Sequence, residues 1–512
     1  MKKLLTIILI LFILCGCNSK VIDKTDDNYR VFYEIFVGSF SDSNNDGIGD
    51  LNGIINRLDY LNDGNVNSDS SLGIQGIWLT PIFKSNSYHK YDAIDYYTID
   101  PEFGSQEDLD KLIEECHKRN VLLILDLAIN HTSSECEWFK EFVKAHQNND
   151  YTNKYYNYYT YDTRFEGEAN KAWCDINDTY EIYECNFSYD MPELNFDNED
   201  VRNEVLNVAK FYLDKGIDGF RFDAAKYVYF NHNNESVDFW KWYTDEIRKI
   251  KQDAYLVSEV WSSETEINQY VPATNCFNFA GSGPEGIFAL AAKGNNIDNF
   301  TSYIVKYQNK LNEINNNSMS ISFISNHDMD RAAGYLTLFN SRGYIGANLY
   351  LLSPGSPFIY YGEEIGMKGT RGSANTDANR RLAMLWGDED TIQDPEGFTF
   401  DISKQINGTV KEQLSNDSSL LKHYIKLIQL RKKYPAIARG EYEQLSFNNS
   451  HLGGFKITYN DEIIYLVHNT SDGEIVVESN EFKQLLDSVG LSNASYKDGK
   501  LTVGAYTSVI LK

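Results

Sequence analysis

Acidic side chains stand at the ends of several short apolar runs in this chain. Each of these runs is typical of a buried strand, and two of the acids have a histidine close by. The four acids are Asp126 after Leu122–Leu125, Asp223 after Phe220–Phe222, Glu259 after Leu256–Ser258 and Asp328 after Phe323–His327. A single acid at such a position is most often a cap or one half of an ion pair. Four acids gathered at one rim would raise one another's pKa, and that arrangement is typical of a catalytic site.

Paired carboxylates without a metal cluster indicate glycoside hydrolysis. In that reaction one carboxylate attacks the anomeric carbon, while a second carboxyl group donates a proton to the leaving oxygen. Metal-assisted hydrolysis is disfavoured because His131 and His327 are far apart and no H-x-x-x-H pair occurs. Side chains alternate along a strand, so Arg221 and Asp223 are predicted to share a face. Taken alone, this pair could equally be a structural salt bridge.

The elements that position these acids repeat one theme from residue 30 to about 430. Short apolar runs alternate with amphipathic stretches, and the latter predict helices over Glu107–Lys118, Val201–Leu213, Ser236–Lys249 and Leu420–Lys433. Eight strands alternating with helices predict an α/β fold of the (β/α)8 TIM barrel type, whose chemistry lies at the C-terminal ends of the strands. The predicted strands are Val31–Phe36, Ile74–Leu79, Val121–Leu125, Ile217–Phe222, Tyr255–Val257, Cys276–Phe279, Ile321–Ile324 and Pro357–Tyr361.

Two regions depart from this repeat. About 90 residues rich in Tyr, Asn and Asp separate the third and fourth strands, and a structureless loop of that length is uncommon. We therefore expect an inserted domain over 133–195, which divides the barrel into 29–132 and 196–436. Short alternating strands after residue 437 predict a C-terminal all-β domain over 437–512. Its predicted strands are Gly454–Tyr459, Ile463–His468, Glu474–Glu478 and Ala505–Leu511.

The N-terminal residues are typical of a targeting segment. A basic start precedes the apolar run Leu4–Leu14, which is shorter than the roughly 20 residues that span a bilayer. The run ends in Leu-Cys-Gly-Cys17, which resembles a bacterial lipobox. We expect 1–17 to be a lipoprotein signal with Cys17 as the lipidated residue, and 18–28 to be a tether; the alternative is a plain signal peptide cut nearby. This predicts a secreted protein that is lipid-anchored to the outer face of a bacterial membrane.

Composition limits the partners. The formal net charge of −27 repels phosphate backbones, so nucleic acid is excluded as an expected partner, and a membrane is expected only through the lipid anchor. Seven cysteines occur without a zinc-binding pattern. A disulfide between Cys174 and Cys185 is possible outside the cytoplasm. The 36 tyrosines suit sugar binding as well as a packed core.

Several motifs occur in the order found in the alpha-amylase family of glycoside hydrolases (family 13). Each motif alone is weak, but seven in order are highly specific, and the resemblance runs through nearly the whole mature chain. The motifs are Gly73–Ile82, Asp126–His131, Met191–Asn195, Gly219–Lys226, the segment around Glu259, Phe323–Asp328 and Gly355–Glu364.

The resemblance implies a role for each acid. Asp223 is expected to be the nucleophile that forms a covalent glycosyl-enzyme, and Glu259 the general acid and then base. Asp328 would stabilise the oxocarbenium-like transition state. Arg221 would keep Asp223 ionised and oriented, since a nearby cation lowers a carboxyl pKa by about 1–3 units. The reaction would retain the anomeric configuration, with the two carboxyl groups about 5–5.5 Å apart.

The same resemblance implies the residues that hold the sugar. Tyr91 would stack on the ring being cleaved, and His131 and His327 would hydrogen-bond its hydroxyls. Lys226 would reach the leaving-group side. Asp126 would support the site from below.

The motifs constrain the substrate specificity less closely than they constrain the type of reaction. In the family, Ala224 after the nucleophile and Tyr88 before Tyr91 favour endo action on α-1,4 linkages. The stretch Asp377–Met384, in contrast, resembles the branch that cleaves oligosaccharides. The expected function is hydrolysis of starch or maltodextrins by a monomeric alpha-amylase. The alternatives are an exo-acting α-glucosidase, a glucan transglycosylase, or a surface glycan-binding protein without catalysis, and the intact acids count against the last.

Calcium is the expected cofactor. The segment from Asp42 to Asp50 places hard oxygen ligands at alternate positions and begins like an EF-hand loop, but it lacks the final bidentate glutamate. It matches the calcium loop after the first strand in the family. The implied ligands are the side chains of Asp42, Asn44, Asp46 and Asp50 and the carbonyl of Ile48. The alternative is an Asp/Asn-rich turn that binds no ion.

Overall fold

The computed structural model describes residues 25–512. The predicted signal peptide, the lipobox with Cys17 and most of the predicted tether lie outside the described residues. Lipidation and secretion therefore stay predictions.

The centre of the molecule is the predicted (β/α)8 barrel. Seven strands form one parallel sheet, and Ile321 closes it as an isolated bridge to Phe277. Two backbone bonds complete the closure, from Asn278 N to Ile321 O at 2.9 Å and from Phe358 N to Ser322 O at 2.8 Å. The seventh strand, predicted over Ile321–Ile324, is thus shorter than expected. In spatial order the seven strands are Asn275–Cys276, Tyr255–Ser258, Gly219–Phe222, Leu122–Leu127, Gly76–Leu79, Phe32–Ile35 and Phe358–Tyr360.

The helices around the barrel follow the amphipathic pattern, and the four predicted ones are confirmed to within a few residues. Capping explains their ends: Ser105 and Asp108 form a capping box at one N-terminus, and left-handed Gly216 ends another helix. The α-helices are Leu51–Asn56, Leu58–Leu61, Gln106–His117, Glu137–Asn148, Glu199–Lys215, Asn233–Ile250, Glu264–Tyr270, Ile287–Ala292, Ile297–Ile314, Ala332–Tyr335, Phe339–Leu351, Val410–Leu414, Leu420–Lys433 and Ala436–Arg439.

Aromatic side chains fill the interior of the barrel. The rings of Phe32 and Phe358, on adjacent strands, stack with centroids 4.7 Å apart. Gly76 on the neighbouring strand must lack a side chain, because a Cβ there would lie 2.3 Å from the Phe32 ring. The barrel is therefore a packed core rather than a pore, and its polar groups collect at the C-terminal rim.

A segment with its own sheet leaves the barrel after the third strand and returns before the helix Glu199–Lys215. It contains the helix Glu137–Asn148 and a three-stranded antiparallel sheet. The structure pairs Cys174 with Cys185 in a disulfide beside this sheet. The strands, in spatial order, are Tyr161–Thr163, Glu181–Glu184 and Trp173–Asp175; a separate hairpin joins Phe83–Lys84 to Asp95–Ile99.

The C-terminal part is all-β, as predicted, and comprises two antiparallel sheets. Four strands were missed by the sequence pattern: Glu441–Ser446, Leu485–Gly490, Ala494–Lys497 and Lys500–Val503. Glu441–Ser446 and Leu485–Gly490 lack a continuous apolar alternation, and the other two strands are only 4 residues long. Between residues 25 and 512, no helix is long and apolar enough to cross a membrane. The remaining strands are Leu452–Tyr459, Glu462–Asn469, Ile475–Glu478 and Thr507–Leu511.

Candidate active site

The end of the fourth barrel strand makes an unusual turn. Ala224 has a φ of 48°, in the left-handed region that non-glycine residues rarely adopt. This turn leaves the Asp223 carboxylate at the mouth of the barrel. It also directs the Ala224 N–H to Glu259 Oε2, at 2.9 Å. A strained backbone position therefore links the ends of the fourth and fifth strands, as is common at functional sites.

Arg221 joins three of the predicted acids. Its guanidinium Nη1 lies 2.8 Å from Asp126 Oδ1 and 2.5 Å from Asp223 Oδ1. Its Nη2 lies 3.1 Å from Glu259 Oε2. Arg221 and Asp126 are fully buried below the cavity, whereas Asp223 and Glu259 reach it. One buried cation thus holds Asp223 and Glu259, two of the acids that face the cavity, side by side.

The two acids have raised pKa values. Burial raises the pKa of Asp223 to about 6, although Arg221 acts in the opposite direction. Burial likewise raises the pKa of Glu259 to about 7, again against Arg221. Arg221 therefore shifts the pKa of Asp223 in the predicted direction, but desolvation by burial outweighs this interaction. Between these two values Asp223 is more than half ionised while Glu259 is more than half protonated.

The pKa of Asp328 is shifted in the opposite direction. Burial disfavours its charge, but His327 and Arg381 hold the pKa of its carboxyl far below the usual range. His327 Nε2 lies 3.0 Å from Asp328 Oδ2, and Arg381 Nη2 lies 2.7 Å from Oδ1. Despite burial, Asp328 and Glu34 raise the pKa of His327 to about 10. Asp328 is therefore a permanent negative charge beside the titrating pair.

The predicted sugar-binding residues take different positions. Tyr91, His131 and Lys226 line the cavity. His131 is buried in the cavity wall, where burial lowers the pKa of its imidazole to about 4. Lys226 Nζ donates to the carbonyl of Trp261 at 3.1 Å.

His327 is not among the residues that line the cavity. It is fully buried behind Tyr91, and the two rings stack with centroids 5.5 Å apart. Its Nδ1 lies 2.5 Å from Glu34 Oε1, and its Nε2 lies 2.6 Å from the Tyr91 hydroxyl. In this arrangement His327 orients Asp328 and Tyr91. The bond to a sugar hydroxyl that the resemblance implied stays a prediction.

The cavity at the rim has a volume of about 600 Å³. Its walls come from the loops after the second, third, fourth, fifth, seventh and eighth strands and from the inserted segment. The lining residues are Tyr88, His89, Tyr91, His131, Phe187, Met191, Asp223, Ala224, Lys226, Tyr227, Glu259, Trp261, Asp328, Asn375, Thr376, Asp377 and Arg381.

Two charged residues of the site had no role in the sequence-based interpretation. Glu34 lies on the first strand and binds His327. The feature of the sequence that could have identified it is a single acid inside the buried run Phe32–Ile35. Arg381 binds Asp328 from the segment after the eighth strand. It belongs to the stretch Asp377–Met384, which was noted for its family resemblance but not for chemistry.

The predicted calcium loop folds into a chain of turns. Asp42 Oδ1 accepts bonds from the backbone N–H groups of Asn44 and Asn45, and Asp46 Oδ1 accepts one from Ile48 at 2.8 Å. Asp50 caps the helix Leu51–Asn56. Among the described residues, no group of three or more His, Cys, Asp or Glu side chains is arranged to hold a metal ion. The hard oxygens suit calcium and keep further lone pairs, so the donor chemistry fits, and the ion stays a prediction.

A closed parallel barrel with an ionised acid, a protonated acid and a third fixed carboxylate in one cavity has the features of a glycoside hydrolase. The profile of the alpha-amylase catalytic domain matches residues 34–440. The chain therefore belongs to the alpha-amylase family and is a glycoside hydrolase of that family.

Similar proteins cover nearly the whole chain. Alpha-amylase 3 of Dictyoglomus thermophilum is 35% identical over 94% of this chain and 93% of its own length. A 4-alpha-glucanotransferase of Thermotoga neapolitana is 29% identical over 87% of this chain and 97% of its own. Among solved structures, Eubacterium rectale Amy13B has a TM-score of 0.88 and 34% identity, and covers 95% of this chain and 96% of its own.

Proposed function

We propose that this protein is an endo-acting alpha-amylase that hydrolyses α-1,4-glucosidic bonds of starch or maltodextrins with retention of configuration. The observation that carries the proposal is the pair Asp223 and Glu259. One guanidinium bridges the two acids, both open to the same cavity, and their pKa values favour opposite protonation states near pH 6.5. A retaining glycosidase needs this combination of nucleophile and proton donor.

The reaction follows from the positions of these groups. The Asp223 carboxylate attacks the anomeric carbon while Glu259 gives its proton to the departing glycosidic oxygen. Water then attacks the covalent intermediate; Glu259 takes a proton from that water, and Asp223 leaves as a carboxylate. The fixed charge of Asp328 stabilises the positive charge that develops on the sugar in both steps.

The presence of Tyr88 in the wall of the cavity supports endo action. The Tyr88 hydroxyl accepts a hydrogen bond from Arg381 Nη1 at 3.0 Å, and a tyrosine here supplies no carboxylate to hold a chain end. The family resemblance associates an acid at this position with exo action.

Glucan transfer is the second candidate. Phe187, Tyr227 and Trp261 line the cavity near the catalytic acid, where the leaving group departs. Aromatic faces bind sugars well, so an acceptor sugar could compete with water there. The similarity to a 4-alpha-glucanotransferase also supports this candidate.

A time course on soluble starch, with products separated by chain length, tests the proposal. Early mixed oligosaccharides and rapid loss of iodine staining support endo hydrolysis. Products longer than the substrate would indicate transfer, and glucose alone would indicate an exo-glucosidase. If the folded protein forms no product, the hypothesis that it is an enzyme is contradicted and a glycan-binding function is favoured.

We also propose that Asp42, Asn44, Asp46, Asp50 and the Ile48 carbonyl hold one Ca²⁺ ion. Calcium added to chelator-treated protein should then raise the melting temperature. Asp46→Ala should abolish this rise, and Asp472→Ala, an acid in an exposed loop of the C-terminal part, should leave it intact. An equal rise in both variants would contradict the site.

Surface anchoring is proposed from the lipobox alone. In cells, Cys17→Ser should move the protein from the membrane fraction to the medium. Cys15→Ser should leave lipid labelling unchanged, and labelling of the Cys17→Ser protein would contradict the assignment.

A further inference from the structure

We propose that Arg381 is a positioning residue for catalysis: it fixes the carboxylate of Asp328 and the loop that carries it against the wall formed by Tyr88. This inference rests on the proposed role of Asp328 as the group that stabilises the transition state.

The guanidinium of Arg381 uses each of its nitrogens on the site. Its Nη2 lies 2.7 Å from Asp328 Oδ1, and its Nε donates to the His327 carbonyl at 3.1 Å. Its Nη1 donates to the Tyr88 hydroxyl at 3.0 Å. One side chain therefore holds both the carboxylate and the backbone of the loop after the seventh strand, and ties them to the loop after the second strand.

Packing holds Arg381 itself in place. Its guanidinium carbon lies 5.3 Å from the ring centroid of Phe36 and 5.6 Å from that of Tyr88, and only 5% of the residue is exposed. A buried, stacked guanidinium with three directed donors has little freedom to move. Lysine cannot reproduce this arrangement because its ammonium is a single point without a planar fork.

Arg381 completes the orientation of Asp328. His327 binds Oδ2 of this carboxylate and Arg381 binds Oδ1, so both oxygens have a fixed cationic partner. His327 is in turn held by Glu34. A carboxylate whose two oxygens are each bound by a cation keeps its orientation while positive charge develops on the sugar. This fixed orientation is the condition for preorganised electrostatic stabilisation.

The positive charge of Arg381 also offsets negative charge in the cavity. The charged or titratable groups that interact with Arg381 are Asp328, Tyr88, Tyr91, Tyr360 and His89, and the charge of Asp328 in turn acts on Asp223 and Glu259. Removing one cation leaves surplus negative charge near Asp223 and Glu259. Both acids would then bind their protons more tightly.

Four variants separate positioning from charge. Arg381→Lys keeps the charge and loses the fork, whereas Arg381→Gln loses both. Tyr88→Phe removes one partner of the guanidinium. Arg431→Lys is the matched control, because Arg431 is a buried arginine that binds only the backbone carbonyls of Leu351, Ser353 and Gly355.

The measurements are kcat, KM, the pH profile of kcat/KM and the melting temperature on maltooligosaccharides. Arg381→Lys should lower kcat by about 10- to 100-fold, the range known for groups that orient the ligands of a metal ion. Its pH profile should stay in place, whereas the profile of Arg381→Gln should move to higher pH on both limbs. Tyr88→Phe should lower kcat less, and Arg431→Lys should change only the melting temperature.

Two results would overturn the inference. One is a folded Arg381→Lys enzyme with the kcat of the wild type, and the other is a loss of kcat no larger than that of Arg431→Lys. Asp328→Asn separates this from failure of the proposed function. If Asp328→Asn is inactive and Arg381→Lys is unaffected, only the role of Arg381 is wrong; if Asp328→Asn is fully active, the proposed role of Asp328 is wrong.

Discussion

Two groups of buried acids lie at the C-terminal rim of the same barrel, and only one of them faces a cavity. The catalytic cluster consists of Asp126, Asp223, Glu259 and Asp328. The second group, the tyrosine-held pair, consists of Glu363 and Glu364 directly after the eighth strand. Burial raises the pKa of Glu363 to about 7, the same value as for Glu259, and it raises that of Glu364 as well.

The partners of the two groups differ. Neutral hydroxyls bind the tyrosine-held pair, and Arg331 acts on Glu364 only from a distance. Cations bind the carboxylates of the catalytic cluster directly. A raised pKa is thus a consequence of burial in both places, and the cavity with its cations is what distinguishes a catalytic acid from a structural one. Glu363 accepts bonds from Tyr350, Tyr424 and Ser325 at 2.5, 3.0 and 2.9 Å, and Glu364 accepts from Tyr33 and Tyr60 at 2.7 and 2.6 Å.

Neutralising one acid in each group should give the largest difference in kcat between the two groups. Asp223→Asn should reduce kcat on starch by on the order of 10⁴-fold or more, because the amide cannot form the covalent intermediate. Glu363→Gln makes the same kind of change outside the cavity and should leave kcat near that of the wild type. Steady-state assays on both purified proteins check this. A similar loss in both would mean that the two groups do not differ in function.

The next contrast concerns the proton of Glu259. Glu259→Gln should lower the rate on starch by about 10²- to 10⁴-fold, because the leaving oxygen is no longer protonated. An aryl glycoside with an acidic leaving group needs no such proton, so its first step should lose much less. Burst kinetics on the two substrates measure the difference. Equal losses on both would assign Glu259 a role other than proton donor.

The pH dependence of kcat/KM should be a narrow bell. Activity requires ionised Asp223, whose pKa is raised to about 6, so the rate should fall as pH drops below that value. It also requires protonated Glu259, whose pKa is raised to about 7, so the rate should fall again above that value. A pH–rate profile at substrate concentrations far below KM measures both limbs. A flat profile from pH 5 to 9 would contradict this assignment.

The smallest expected effect is on stability. The pKa of Glu363 is raised in the folded protein, so the folded state holds this proton more tightly than the unfolded state does. That contribution is fully present below about pH 4.5 and is lost as pH rises through about 7. Its full size corresponds to about 3 kcal/mol. Melting curves of Glu363→Gln should therefore depend less on pH between 5 and 8 than those of the wild type, and identical pH dependence would contradict the raised pKa.

The sequence by itself determined the barrel and the positions of its acids. Alternation of apolar runs with amphipathic stretches is a local pattern, so it predicted four of the long helices and the barrel strands, but it missed the helices Glu137–Asn148, Ile297–Ile314 and Phe339–Leu351. The carboxyl ends of parallel strands meet at one rim, and the acids after those strands therefore had to converge. The seventh strand was poorly predicted because it is reduced to a single bridge between Ile321 and Phe277. The four C-terminal strands were missed because they are short or lack a continuous apolar alternation.

Only the tertiary structure decided how these acids are balanced. Arg381 lies 53 residues from Asp328 in the chain, and His327 lies 293 from Glu34, so no spacing rule links either pair. The net pKa of Asp223 depends on how far burial outweighs Arg221, and burial is a property of the packed whole. Residue order thus brings the chemical groups to the rim, and long-range packing sets their charges and directions.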